Sequence, residues 1–247
     1  MPSQRRILVV ATNVDQYQKV GFRTGLWLSE LTHFWDVAEE AGHTLQLASP
    51  SGGMIPIDPE NLMLSELARS AGMRSSVFKR YEDRIFMDLL NESVNVAAID
   101  AGEFDAIYLT GGHGVMFDFP GCEPLARLIA AMYEQGRVVS AVCHGPAGLL
   151  DVRLSNGELL VQGKRVTGFS WNEEIMAKRD FAVPFGLEQE LGKRGAQYSK
   201  AMLPFAPYVV EDGRLITGQN PGSAYGVAKA VLRTLRLSEP AAEPASA

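Results

Sequence analysis

Cys143 and His144 stand side by side in a chain of 247 residues that holds only two cysteines and four histidines. A thiol next to an imidazole suits nucleophilic catalysis: the ring takes the thiol proton and the sulfur attacks an electrophilic carbon. Neighbours in a strand or helix point to different sides, so this pair can serve one site only if the backbone turns sharply between them. Ala141-Val142-Cys143-His144-Gly145 has small residues two before and two after the cysteine, the pattern of a strained strand-to-helix elbow. Pro146 suits the first turn of a following helix. At such a helix N-terminus the dipole and free amides would lower the thiol pKa. The same residues also fit a small apolar cysteine closing a buried strand.

An oxyanion site would need free backbone amides nearby. Leu109-Thr110-Gly111-Gly112-His113-Gly114 leaves a strand with three glycines in four positions, which lets amides approach a ligand closely, although such loops also occur simply as turns. It is no dinucleotide motif, because no helix-opening spacing or downstream acidic residue completes it. The histidines are His33, His43, His113 and His144, and none follows the elbow. A hydrolase of the nucleophile-elbow type places its histidine after the nucleophile, so that triad cannot be completed, nor can the late His-x-Glu of a glutamine amidotransferase. Any base must be His144 itself or a carboxylate. Glu30 and His33, one turn apart, share a helix face and could approach the same sheet end. A metal set of His33, Glu30 and His113 is conceivable, but no clustered ligand pattern supports it and no metal is expected. Cys122, in a Pro-Gly loop, receives no role.

These residues need elements to position them. Arg5–Thr12 is a β-branched run; 24–41 reads as a helix ended by Gly42, with Leu31, Phe34, Trp35 and Ala38 as its core stripe. Strands are expected at 44–49, 104–110 and 137–142, with a helix at 124–135 between the last two. Strands separated by helices imply right-handed crossovers and a mostly parallel sheet covered on both faces, with ligands beyond the carboxyl ends of the strands. The segment 208–217 has an Asp-Gly turn between apolar runs, a hairpin signal, and a final helix follows through Leu235. One domain over residues 1–237 is expected, with an insertion at about 51–95 that caps a site or an interface. Residues 238–247, rich in Ala, Pro and Glu, read as a disordered tail.

Composition excludes several classes. Two distant cysteines cannot build a disulfide framework or a zinc ribbon, which fits a reducing cytoplasmic compartment. The N-terminal apolar run is too short for a signal segment or a span, which takes roughly twenty residues. A net charge of −6 without a basic block draws the chain to neither nucleic acid nor anionic membrane. A small molecule or another protein is the expected partner.

Taken together, A-V-C-H-G-P-A-G-L-L (141–150), T-G-G-H-G-V-M-F-D-F-P (110–120), A-S-P-S-G-G-M-I-P-I-D-P (48–59), V-T-G-F-S-W-N-E-E (166–174) and I-T-G-Q-N-P-G-S (216–223) resemble the ThiJ/PfpI superfamily over about Arg5 to Leu235. The similarity is greatest to its heat-shock chaperone and glutathione-independent glyoxalase III branch, often labelled class I glutamine amidotransferase-like. The resemblance implies an α/β fold, a flavodoxin-like three-layer sandwich, commonly as a homodimer. It implies Cys143 as nucleophile, His144 as its partner and Glu30 as the carboxyl touching the sulfur. Glu173 is the preferred acidic third member, with Glu174 the alternative. It implies the Gly112 and His144 amides as the oxyanion site, with Gly111, His113 and His33 also expected among the oxyanion and substrate-binding residues. The implied activity is cofactor-independent conversion of 2-oxoaldehydes such as methylglyoxal to 2-hydroxy acids such as lactate. A holdase chaperone and a cysteine hydrolase (peptidase, isonitrile or amide hydratase) are the alternatives. The sequence departs from relatives at Phe34, where proline is usual, and at Ser29, often a second glutamate; Trp27, Phe34 and Trp35 are expected to narrow the pocket.

Overall fold

β1 (Arg6–Val10) shows how this chain builds its centre: it is buried from Ile7 onward and sends Leu8 and Val10 to one face, Ile7 and Val9 to the other. A strand apolar on both sides belongs inside a parallel sheet. The computed structural model describes residues 3–70 and 76–237. After β1 come α1 (Leu28–Glu40), β2 (Thr44–Ser49), α2 (Pro59–Ser70), α3 (Ser76–Glu82), α4 (Arg84–Leu89) and β3 (Val94–Asn95). Then follow β4 (Ala106–Leu109), α5 (Val115–Asp118), α6 (Glu123–Glu134), β5 (Val138–Val142), β6 (Arg165–Val166), α7 (Trp171–Met176) and α8 (Leu187–Lys193). β7 (Gln197–Tyr198), β8 (Val209–Asp212), β9 (Leu215–Gly218) and α9 (Ala224–Leu237) complete the order. The main sheet runs β3-β2-β1-β4-β5-β9-β8, parallel except for the β8–β9 hairpin, and β6 pairs with β7 separately.

Two cores cover the sheet. Leu125, Leu128, Ile129 and Met132 of α6 pack on the Leu8 and Val10 face. Leu31, Phe34, Trp35 and Ala38 of α1 join Val227, Val231 and Leu235 of α9 on the other. Each such side chain contributes about 1.5–3 kcal/mol of burial, so the i, i+3, i+4, i+7 stripes fix which helix faces inward. Among the described residues no helix is long and apolar enough to cross a membrane.

Two expectations need correction. The first helix begins at Leu28, not residue 24, because the preceding residues are extended: Leu26 N donates to Pro56 O (2.8 Å) and Asp58 N to Leu26 O (2.9 Å). The element after the elbow is a five-residue 3-10 helix, Gly145–Leu149, not an α-helix. So short a turn has little dipole to lend. Residues 51–95 supply α2, α3, α4 and β3; the tail 238–247 lies outside the described residues.

Candidate active site

β5 ends at Val142, and the next residue, Cys143, has φ 58°, in the left-handed region that a side chain with a Cβ adopts only under strain of about 1–3 kcal/mol. The turn is held by Cys143 N donating to Gly218 O (2.9 Å) and Phe169 N donating to Cys143 O (2.8 Å). It brings the sulfur to 3.3 Å from His144 Nδ1, with both residues buried.

The Glu30 carboxyl reaches the sulfur from the first turn of α1, and it is fully buried. Tyr108 Oη donates to the Glu30 carbonyl (3.1 Å), and Gly111 N donates to Glu30 Oε2 (2.6 Å). Residue 111 must be glycine, since a Cβ there would stand 2.7 Å from both Cys143 Cβ and Glu30 Oε2. Burial, the largest cause, raises the Glu30 carboxyl to about 8, against the lowering pull of the Cys143 thiol and the Gly111 amide. The thiol lies close enough to act as a hydrogen-bonding neighbour, yet Oε1 has no partner that meets full hydrogen-bond geometry. Burial and the negative charge of Glu30 push the Cys143 thiol up, while the Gly112 amide stabilises its ionised form. The expected low thiol pKa is therefore overturned: desolvation outweighs one short 3-10 turn. With Glu30 protonated its repulsion vanishes, so thiol and carboxyl compete for one proton.

The acidic partner of His144 is Glu174, not Glu173. Glu174 Oε2 lies 2.9 Å from His144 Nε2, and its Oε1 lies 2.7 Å from His113 Nε2. The two histidines, aided by hydrogen bonds, hold this carboxyl well below the usual range despite its burial. An ionised carboxylate only accepts, so both histidines carry their proton on Nε2, and His144 Nδ1 turns a lone pair to the sulfur. Burial, the largest cause, with the neighbouring His113, lowers the His144 pKa, which favours the neutral ring. Glu173 is committed elsewhere. Its Oε2 accepts from Ser170 N (2.9 Å) and Oγ (2.8 Å) in a capping box, while Oε1 accepts from Phe205 N (2.8 Å) and Asn220 Nδ2 (2.9 Å). Glu174→Gln is expected to lower kcat/KM by about 10²–10³, because an amide cannot accept from both rings and forces one into the wrong tautomer. Glu173→Gln should leave kcat within about tenfold and lose about 2 kcal/mol of stability by leaving a buried donor unmatched. Parallel kinetics and melting curves of the two variants check this.

A cavity of about 290 Å³ opens over the sulfur, lined at its base by Gly112, His113, Cys143 and His144. Residues Glu60 and Leu64 of α2 form part of its wall, so the segment 51–95 contributes side chains to this pocket. His33 is not among the lining residues. A three-residue step leaves about 60° between it and Glu30, and it sits half-buried with Asp36 as its charged neighbour. Nor do Phe34 and Trp35 narrow the cavity. Phe34 stacks on Tyr108 at 3.8 Å and Trp35 meets Phe86 edge-on at 5.4 Å, both in the core; of the three aromatics only Trp27 lines the pocket. The conceived His33, Glu30 and His113 metal set does not assemble. His113, His144 and Glu174 have donor atoms within 4.8 Å of one another, close enough for a metal, but each Nε2 already has a carboxylate oxygen at hydrogen-bond distance.

The DJ-1/PfpI family model covers residues 22–234. The chain belongs to the DJ-1/PfpI family. Among its members, "Glyoxalase 3" of Candida albicans is 31% identical over 92% of this chain and 97% of its own length. "Glutathione-independent glyoxalase HSP31" of Saccharomyces cerevisiae is 29% identical over 92% and 96%. The crystal structure of glyoxalase III from Candida albicans superposes with a TM-score of 0.81 at 28% identity, covering 93% of this chain and 97% of that one. That of Francisella tularensis Rapid Encystment Protein 24 kDa gives 0.86 at 36% identity, covering 94% and 99%. These likenesses establish the flavodoxin-like sandwich as the fold of this DJ-1/PfpI chain.

Proposed function

We propose that the protein converts 2-oxoaldehydes such as methylglyoxal to 2-hydroxy acids such as lactate, without glutathione, through Cys143. The observation that carries the reading is the buried Glu30 carboxyl, raised to about 8 and set against a thiol that faces a neutral histidine. A proton-transferring acid placed at the sulfur fits isomerisation of a thiol adduct better than simple hydrolysis, and relatives of 29–31% identity bear glyoxalase names.

The geometry supports the following course. His144 Nδ1 takes the thiol proton as sulfur bonds to the aldehyde carbon, and the oxyanion forms near the Gly112 amide, then takes the proton back to give a hemithioacetal. Ionised Glu30 removes the hydrogen from that carbon and, through an enediol, returns it to the adjacent carbonyl carbon, while the hemithioacetal hydroxyl proton passes by way of His144 to the neighbouring carbonyl oxygen, leaving a thioester of the 2-hydroxy acid. Water, deprotonated by His144, displaces the thiol and releases the hydroxy acid. One water is consumed and no electron leaves the substrate, so no cofactor is required. Since Glu30 must ionise, kcat/KM is expected to rise with pH up to about 8. A profile that falls over that range would exclude Glu30 as the base. The test of the reading is lactate release from methylglyoxal in buffer free of thiols; consumption without lactate would overturn it. A homodimer and a cytoplasmic location belong to the same proposal and rest on family membership.

A second reading, client binding as a holdase, is favoured by exposed Met63, Leu64 and Leu67 on α2 and exposed Met202 and Leu203. Suppression of client aggregation that survives Cys143→Ala would support it.

A further inference from the structure

Methylglyoxal has five heavy atoms, yet the cavity above Cys143 measures about 290 Å³, near the lower bound of about 300 Å³ for pockets that enclose drug-sized ligands. Methylglyoxal would leave most of that space to water. The space is also apolar: beyond the polar base, its wall is Trp27, Leu64, Phe169, Ala177, Phe205 and Pro221, with Glu60 the one carboxylate among the described residues. Three of these are aromatic, and two stand in a row that ends at the catalytic ring. Phe205 lies 6.2 Å from Phe169, and Phe169 lies 4.5 Å from His144, ring centre to ring centre.

The row is held in place. Phe205 has φ 61°, a left-handed conformation that disfavours a bulky residue, and its N–H donates to the fully buried Glu173. Glu173 also accepts from Asn220, whose neighbour Pro221 lines the same wall. Phe205 is 45% exposed and belongs to neither hydrophobic core, so such strain is not a device for packing the core. It displays an aromatic face to the cavity. Opposite, Leu64 of α2 is 50% exposed, and Glu60 on the same helix pairs with Arg179 just beyond α7, which ties α2 to the element carrying Glu174.

We propose that this wall is a side-chain subsite, and that the preferred substrates are 2-oxoaldehydes carrying an aromatic or comparably bulky apolar group on the ketone carbon. The inference rests on the reading of the site as a 2-oxoaldehyde isomerase and sharpens its substrate class. Offset stacking on Phe169 and Phe205 would orient the ring, with the aldehyde carbon toward the sulfur. The chemistry is unchanged: sulfur adds to the aldehyde carbon, the hydrogen passes to the ketone carbon, and water releases the acid, so phenylglyoxal gives mandelate with no further reactant.

The experiment compares kcat/KM for phenylglyoxal and methylglyoxal, following mandelate and lactate, in the wild-type protein and in Phe205→Ala and Leu64→Ala. Both positions are substantially exposed, so folding is not at stake. The expected ratio is at least about tenfold in favour of phenylglyoxal, as apolar pockets discriminate by roughly 10–200-fold per added group. It should fall at least about fivefold in each variant. Methylglyoxal conversion with a wild-type ratio of one or less, or a ratio that neither substitution moves, overturns the subsite and leaves the isomerase reading standing. Conversion of neither substrate overturns both.

Discussion

Cys143→Ala is expected to lower methylglyoxal conversion by at least about 10⁴-fold while leaving the fold and melting temperature nearly unchanged. Every step proposed passes through a bond to this sulfur, and neither His144 nor Glu174 can substitute for it. His144 is held neutral with its basic nitrogen toward position 143, so without the thiol it has only water to activate. The strain at this position has the same origin in both proteins, because alanine also carries a Cβ at φ 58°. Melting curves and steady-state rates on the same preparations test both halves. Loss of activity together with loss of fold would say nothing about chemistry, so Cys143→Ser, with a hydroxyl in the sulfur's place, serves as a second variant with the same expected loss.

Glu30→Gln is expected to act in two opposite directions. The amide cannot move the proton between the two substrate carbons, so kcat/KM should fall by about 10²–10⁴. Stability should rise. Between the ordinary carboxylate value of 4.5 and about 8, the folded protein keeps a proton that the unfolded chain releases. Each step of pH upward in that window therefore costs stability, fully recovered below 4.5 and reaching about 3 kcal/mol near pH 7. Glutamine carries no such cost, and its carbonyl can still accept from Gly111 N. The variant should melt several degrees above wild type at pH 7.5, and the gap should close toward pH 5. Equal melting temperatures at all pH values would mean that Glu30 is ionised in the folded protein at neutral pH. A site that holds a carboxyl in the wrong environment for stability is consistent with selection for reactivity.

Much of this architecture was legible in the residues. β2 falls on the expected 44–49, and the hairpin at Asp212-Gly213 and the helices at α1, α6 and α9 follow from hydrophobic period and turn chemistry. The elbow too was legible, since small residues around Cys143 are what a left-handed turn packed against β4 requires. The acid was not. Glu173 and Glu174 are adjacent, and a resemblance in spacing cannot say which one faces His144. A local signal could have decided it: Ser170-Trp171-Asn172-Glu173 has the S-x-x-E form of a capping box, which commits Glu173 to its own helix start and leaves Glu174 free. A low thiol pKa does not follow from the strand-turn-helix pattern, because desolvation is a property of the assembled site and the pattern does not reveal that the turn is a 3-10 helix sunk in the core. His33 shares a turn with Glu30 but not a direction. Phe34 and Trp35 were already assigned by period to the core stripe of α1, and that period outweighs any expectation that they border the pocket. The cavity wall at Phe205 and Leu64 comes from segments with no signal of their own, distant in sequence and joined only in lining this pocket.

The most direct measurement is a proton NMR time course of the purified protein with methylglyoxal in thiol-free buffer, repeated on protein whose Cys143 has been alkylated with iodoacetamide. Methylglyoxal signals are expected to convert to those of lactate in the first sample, and conversion is expected to stop as the alkylated fraction approaches one. Undiminished lactate formation by fully alkylated protein, or loss of methylglyoxal with no lactate in either sample, would contradict it.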